Sequence, residues 1–288
     1  MAGTGIRSIR FLKELKSSKI RVISINDYSK ESIKSIKNNL SLNKLKKNKK
    51  IIIKNEDANL FLLNSKGFDY IDIDPFGTPN PYLDSAVRRI ARDGILAVTA
   101  TDTGCLCGSF PKACIRKYWA IPKKSPIMHE TGLRILIRKI QLIGAQYSKA
   151  LTPIFSYSKE HYMRVFLKCE KGKEKADKIM KQHGYFSEAG PMWLGSLWDR
   201  TLAQKMYSSQ PDKLLKTIKE ESEIETAGFC NIHKIVKEHK LKKIPNKELL
   251  IKKIKTKGYK ASNTHFSDIS IRTNMPLKEL IKIIRGIS

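Results

Sequence analysis

Short β-branched runs alternate with amphipathic helical stretches through the first half of this chain, and the last two runs have only Lys159 and Glu160 between them. The alternation needs crossover helices, and so a parallel sheet covered on both faces; the final pair leaves no room for a crossover and must form an antiparallel hairpin. Residues 19–27 read as a strand that stops at a polar Asn-Asp pair. Residues 29–42 place Ile33, Ile36 and Leu40 on one helical stripe, with Ser29 at the N-cap and Glu31 in the first turn. Residues 50–54 form a second strand and 57–63 a short helix, and 68–74 form a third strand ending on a carboxylate. A helix over 81–92, a strand over 94–101 and a helix over 130–142 complete the series before the hairpin of 151–158 with 161–168.

The expected fold is therefore α/β: a doubly wound, Rossmann-like domain with a terminal antiparallel hairpin, the usual build of class I S-adenosylmethionine-dependent methyltransferases. The stretch Glu170-Lys-Gly-Lys-Glu-Lys175 reads as a linker. The expected division is a methyltransferase domain at 1–170 and a smaller α+β C-terminal domain at 171–288, with its clearest helices at 214–224 and 247–257.

Charge narrows the partner. Fifty-six Lys and Arg against 27 Asp and Glu give +29, a self-repulsion best explained by a polyanion (tRNA, rRNA or DNA), with an anionic membrane surface second. Thermophilic enrichment normally raises both signs, so lysine without matching glutamate argues against that source. The longest apolar run, Gly94-Ile-Leu-Ala-Val-Thr-Ala100, has strand length, and no membrane span is expected. Residues 1–7 contain no apolar signal region, and five cysteines, an odd number, suit a reducing cytoplasm.

Three places carry candidate chemistry. Ala2-Gly3-Thr4-Gly5-Ile6-Arg7 is a glycine turn before a helix, where Gly3 and Gly5 let backbone approach a cofactor. Asp27 follows about twenty residues on, where open α/β sheets set a carboxylate on ribose hydroxyls; taken alone, a plain strand-ending turn accounts for it better. Asp57, before Ala58, is placed either to accept from an adenine amine or to cap a helix. Asp72-Ile73-Asp74-Pro75-Phe76-Gly77 is the sharpest motif. It sets a carboxylate beside an aromatic at a strand's carboxyl end, which suits an exocyclic amine on a flat base: Asp74 accepts the proton and Phe76 stacks. His129, Glu130, His161 and His265 are scattered over separate elements and are expected to make packing bonds, and Trp193 and Trp198 are either core or RNA-stacking.

These residues resemble the archaeal and eukaryotic tRNA (guanine(26)-N2)-dimethyltransferases. The resemblance runs through Ala2 to Arg7, Asp74-Pro-Phe-Gly-Thr-Pro79, Thr99-Ala-Thr-Asp-Thr103, Lys112-Ala-Cys-Ile-Arg-Lys-Tyr118, His129-Glu-Thr-Gly-Leu-Arg-Ile-Leu136, His161-Tyr-Met-Arg-Val165, Gly190-Pro-Met-Trp-Leu-Gly195, Thr264-His-Phe266 and Ile271-Arg-Thr273. It implies that Arg7, Asp27, Asp57 and Ala58 contact S-adenosyl-L-methionine, that Asp74 is the catalytic carboxylate and Phe76 the base-stacking ring, and that the second domain helps hold tRNA. A non-catalytic RNA-binding subunit of the same fold is the rival, and an amino-methylating DNA enzyme a weaker one. The rival subunit would have no use for Asp27, Asp57 and Asp74 together.

The chain departs from the family twice. Zinc-bearing members use a cysteine quartet in the second domain, whereas here that domain holds Cys230; no metal is expected, and Cys107 and Cys114 read as packing residues. In the family the glycine turn follows a strand, whereas here the turn begins at Met1. The sheet is thus expected to lack a central strand, so that either a separate amino-terminal polypeptide completes it or the start codon lies upstream. The chain alone is expected to be inactive and prone to aggregate.

Overall fold

The computed structural model describes residues 1–287. It begins with α1 (Ile6–Glu14), β1 (Ile23–Asn26), α2 (Lys30–Leu42), β2 (Ile51–Lys54), α3 (Ala58–Leu63) and β3 (Phe68–Ile73). Ser29 caps α2, its hydroxyl accepting the Ser32 N–H at 3.2 Å, and Ile33, Ile36 and Leu40 turn inward onto Ile9 and Ile25. There follow α4 (Asn80–Arg89), β4 (Ile90–Ala100), α5 (Thr103–Leu106), α6 (Pro111–Tyr118), α7 (Met128–Gln146), β5 (Lys149–Lys159) and β6 (Tyr162–Lys171). In the larger sheet the order is β3-β4-β6-β5, with β3 and β4 parallel and the β5–β6 hairpin antiparallel to β4 through β6. That is the α/β arrangement with a terminal hairpin expected from the chain.

Several boundaries differ from expectation: the first strand begins at Ile23 rather than residue 19, and the hairpin turn lies at Glu160–His161 rather than Lys159–Glu160. The helix expected to reach residue 92 ends at Arg89, because Ile90 is buried and pairs with Phe68 as the first residue of β4. Gly94 permits this close pairing: a Cβ there would lie 2.9 Å from the Asp69 carbonyl oxygen. The stretch expected to be a linker at 170–175 is instead the end of β6 and the first turn of α8 (Lys173–Met180). Its charged residues face solvent while Cys169 and Ala176 are buried, so composition alone imitates a linker.

β1 and β2 pair in parallel as a sheet of their own, with a small apolar cluster separate from the main core. They reach the larger sheet through α1: the Phe11 and Tyr70 rings meet edge to face at 5.4 Å, and Arg7 reaches the end of β3.

After α8 come β7 (His183–Phe186), β8 (Ala189–Trp193), α9 (Arg200–Ser209) and α10 (Lys213–Glu221). Ile179, Met192 and Ile218 from this stretch join the main core with Leu96, Val98 and Leu133. Trp193 and Trp198 are buried there too, their indole N–H groups donating to the Ser196 and Ser156 carbonyls at 2.8 and 2.7 Å. Both are packing residues rather than RNA platforms. The chain then continues through β9 (Cys230–Asn231), α11 (Ile232–Glu238), α12 (Lys247–Thr256), β10 (Ala261–Thr264), β11 (Ser267–Thr273) and α13 (Leu277–Arg285). The antiparallel sheet β10-β11-β9 and these helices share a second apolar cluster that includes Leu250, Ile254, Ile271 and Leu280. Among the described residues, no helix is long and apolar enough to cross a membrane.

Candidate active site

The glycine turn and the carboxyl ends of the first strands are drawn together by short bonds. Gly3 (φ 56°) and Gly5 (φ 73°) both adopt the left-handed conformation that favours glycine, and Gly5 caps α1. A Cβ on Gly3 would project into open space, so the backbone here meets no packed neighbour. The Gly3 N–H donates to Oδ2 of Asp27 at 2.9 Å, the Ser29 N–H donates to Oδ1 at 2.9 Å, and the Met1 ammonium lies 2.8 Å from Oδ2. Burial pushes the Asp27 carboxyl up, but the ammonium and the two amides outweigh it and hold the group below the usual carboxylate range.

Asn26 and Asn55 stitch the ends of β1 and β2 together. Asn26 exchanges bonds with the Glu56 backbone at 3.0 and 3.1 Å, and Nδ2 of Asn55 donates to the Asp27 and Tyr28 carbonyls at 2.8 Å. Asp57 caps α3, its Oδ1 accepting the Asn59 and Leu60 N–H groups at 2.9 and 3.1 Å, and Ala58 is the first residue of the helix. The capping role is filled by one carboxylate oxygen.

At the end of β3 a ladder of charges leads to Asp74. Arg164 grips Asp72 with two bonds of 2.8 Å and donates to Thr99 Oγ1 at 2.6 Å. Arg7 then bridges the two carboxylates, 3.0 Å from Asp72 and 2.8 Å from Asp74, in both cases at Oδ2. Burial alone would lower the Arg164 pKa, yet the bidentate bond to Asp72 raises it. The order Asp74–Arg7–Asp72–Arg164 fixes one oxygen of Asp74 and leaves Oδ1 unbonded. Phe76 is fully exposed at the tip of the next loop. That loop is tied to the end of β4: the Gly77 N–H donates to Thr101 Oγ1 at 2.6 Å and the Thr101 N–H donates to the Gly77 carbonyl at 3.0 Å.

The structure thus brings Gly3, Gly5, Arg7, Asp27, Asp74 and Phe76 to one edge, with Asp57 and Ala58 beside it. Sequence reasoning missed the roles of Asp72 and Arg164, although both lie inside motifs it quoted. The scattered histidines do not converge. His129 contacts the buried thiol of Cys107 at 3.5 Å, His161 is exposed in the hairpin turn, and Glu130 and His265 belong to a separate buried network. Burial pushes the Cys107 thiol up to about 12, consistent with a packing role. Among the described residues, no group of three or more His, Cys, Asp or Glu side chains could hold a metal ion.

A parallel sheet closed by an antiparallel hairpin, with a glycine turn facing an acidic strand end, defines a Rossmann-like methyltransferase. The chain matches the family described as N2,N2-dimethylguanosine tRNA methyltransferase over residues 1–189 and 184–285, and it belongs to that family. A relative from Methanobrevibacter smithii named tRNA (guanine(26)-N(2))-dimethyltransferase is 37% identical over 99% of this chain and 82% of its own. One from Aquifex aeolicus, named tRNA (guanine(26)-N(2)/guanine(27)-N(2))-dimethyltransferase, is 36% identical over 98% of this chain and 80% of its own. The solved structure of Trm1 from Pyrococcus horikoshii with S-adenosyl-L-methionine superposes with a TM-score of 0.89 at 34% identity, covering 99% of this chain and 86% of that one.

Proposed function

We propose that this chain methylates the exocyclic N2 of guanine 26 in tRNA, using S-adenosyl-L-methionine and giving N2,N2-dimethylguanosine. The observation that carries the reading is the anchored Asp74 beside the free ring of Phe76 at the sheet edge that holds the glycine turn. S-adenosyl-L-methionine, when bound, supplies a methyl carbon activated by a positive sulfur. Gly3, Gly5, Arg7, Asp27, Asp57 and Ala58 hold it; the open space over Gly3 and the bonded Asp27 beside it fit such a ligand. Guanine's amine is a poor nucleophile because its lone pair is delocalised into the ring. Phe76 therefore stacks the flipped base and aligns it, and Asp74 takes the N–H proton as positive charge develops on nitrogen. Residues 1–170 carry this chemistry, and 171–288 help hold the tRNA in the cytoplasm, whose reducing conditions suit five free cysteines.

The test is transfer of labelled methyl groups to a tRNA transcript. Label at guanine 26, absent when adenine replaces it, supports the reading. Equal label in both overturns the position, and label in neither, with a strand-supplying segment added, overturns the activity.

A strand supplied by another polypeptide segment is also proposed to join the fold. β1 and β3 lie at the edges of two sheets linked through α1, so an added strand would satisfy backbone groups on both. Adding such a segment is expected to raise both cofactor affinity and thermal stability. Full cofactor binding and methylation by residues 1–288 alone would refute it.

A further inference from the structure

Trp119 ends α6 with φ 55° and ψ 41°, a left-handed C-cap where glycine is the usual residue and a bulky side chain is strained. Despite its size the ring is 51% exposed. Its inner face lies on a cation: Nζ of Lys139, on α7, is 3.0 Å from the ring centroid. Nη1 of Arg138 donates to the Trp119 carbonyl at 3.2 Å. Lys139 is itself buried, and burial, with Arg138 adding repulsion, pushes its pKa down to about 8. An ammonium has thus been taken out of water to back an indole whose outer face is open.

The surroundings extend this surface toward the active site. Tyr118, next in the chain, is fully buried; its hydroxyl donates to Asp102 at 2.7 Å and lies 2.9 Å from that of Thr78. Nδ2 of Asn80 donates to the Lys117 carbonyl at 2.8 Å. The end of α6 is therefore clamped to the segment that follows Phe76. On the other side, Ile121 bridges to Gly190 in the β7–β8 hairpin, which presents the exposed ring of Tyr185. Residues 111–124 contain five Lys or Arg and no acidic residue. Lys117 and Lys123 pair with Asp102 and Glu188, so Lys112, Arg116 and Lys124 are the charges offered outward.

We propose that Trp119 is a second stacking platform, which receives a nucleobase of the tRNA flanking the target guanine while Lys112 and Arg116 meet the adjoining phosphates. A polyanion is the occupant that the charge complements, and a base is the partner that an open, rigidly backed ring fits. The inference rests on the reading of tRNA as substrate. It adds a site to that reading, next to the Phe76 loop and joined to it through Tyr118 and Thr78.

The test compares Trp119→Gly, Trp119→Phe and the unaltered protein. Glycine suits the left-handed backbone, so this variant removes the ring without adding strain. The expected result is an increase of about 5- to 100-fold in KM for tRNA with Trp119→Gly. The kcat at saturating tRNA, the affinity for S-adenosyl-L-methionine and the thermal transition should be nearly unchanged, and Trp119→Phe should recover most of the loss. An unchanged KM with Trp119→Gly overturns the platform, as does a fall in thermal stability that accounts for the whole effect. If the unaltered protein, with a strand-supplying segment added, methylates no tRNA, the functional reading fails instead. Direct tRNA binding by the same variants then still reads the platform, and equal affinity overturns it.

Discussion

Alanine in place of Asp74 is expected to slow methyl transfer by about 10²- to 10⁴-fold while tRNA affinity changes little. The group sits where the fold forces it, one residue past β3, whose Ile71 and Ile73 are buried against the β4 side of the core. Arg7 holds its Oδ2 at 2.8 Å, and that hold is itself fixed through Asp72 and Arg164. Removing the carboxylate deletes the acceptor for a proton that must leave as the nitrogen is methylated. The structural cost is small, because Arg7 keeps Asp72 at 3.0 Å and a partly exposed ion pair contributes about 1 kcal/mol at most. Asparagine at the same position keeps the shape and one hydrogen-bond acceptor but cannot take the proton, so it should be nearly as slow as alanine. Single-turnover rates at saturating tRNA, with filter binding alongside, separate the two effects. Normal rates in either variant, or lost binding with chemistry preserved, would show that Asp74 has another role.

What the chain reveals about itself depends on how far apart the interacting residues lie. The α2 cap and stripe and the Asp74–Phe76 motif are local patterns found where the sequence places them, whereas the two-residue hairpin turn lies one residue on from Lys159–Glu160, at Glu160–His161, because Lys159 pairs with Tyr162. The end of α4 is not legible locally, because Ile90 suits a helix as well as a strand until Phe68 pairs with it. The charged stretch at 170–175 imitates a linker, because solvent-facing charges on a strand end and a helix start have the same composition. At the site, the Arg164–Asp72 pair spans 92 residues, and no local signal announces that these two side chains will meet. Asp27 and Asp57 had two readings each. Both carboxylates make the local turn or cap bonds, and the same bonds hold them near the carboxyl ends of β1 and β2.

The longest-range feature leads to the largest expected loss of stability: Arg272→Met should cost about 3–5 kcal/mol. Arg272 is fully buried on β11. Its Nη2 donates to Glu130 Oε2 at 2.6 Å, its Nε to Glu221 Oε1 at 3.0 Å, and its Nη1 to the Thr226 and Gly228 carbonyls at 2.8 and 2.9 Å. Glu130 also accepts from Arg134 at 2.9 Å, and Glu221 from Thr264 at 2.6 Å and His265 Nδ1 at 2.5 Å. One guanidinium therefore ties α7 of the main core to α10 and to the C-terminal sheet, and methionine would leave buried Glu130 with Arg134 as its remaining cation and buried Glu221 with no guanidinium beside it. Burial pushes the Glu221 carboxyl up, but His265 and Arg272 outweigh it and bring it down to about 2, from an ordinary value of 4.5. A depressed carboxylate stabilises the fold above its unfolded pKa, and that contribution fades as pH falls from about 4.5 toward 2. Without Arg272 the folded-state pKa must rise, so acid unfolding of the variant should begin at higher pH than in the unaltered protein. Adding Glu221→Gln to Arg272→Met removes the carboxylate left without a guanidinium and should recover part of the loss, which a double-mutant cycle in urea would measure. A loss below about 1 kcal/mol, or strictly additive effects, would mean that the C-terminal elements are held to α7 by apolar packing rather than by this network.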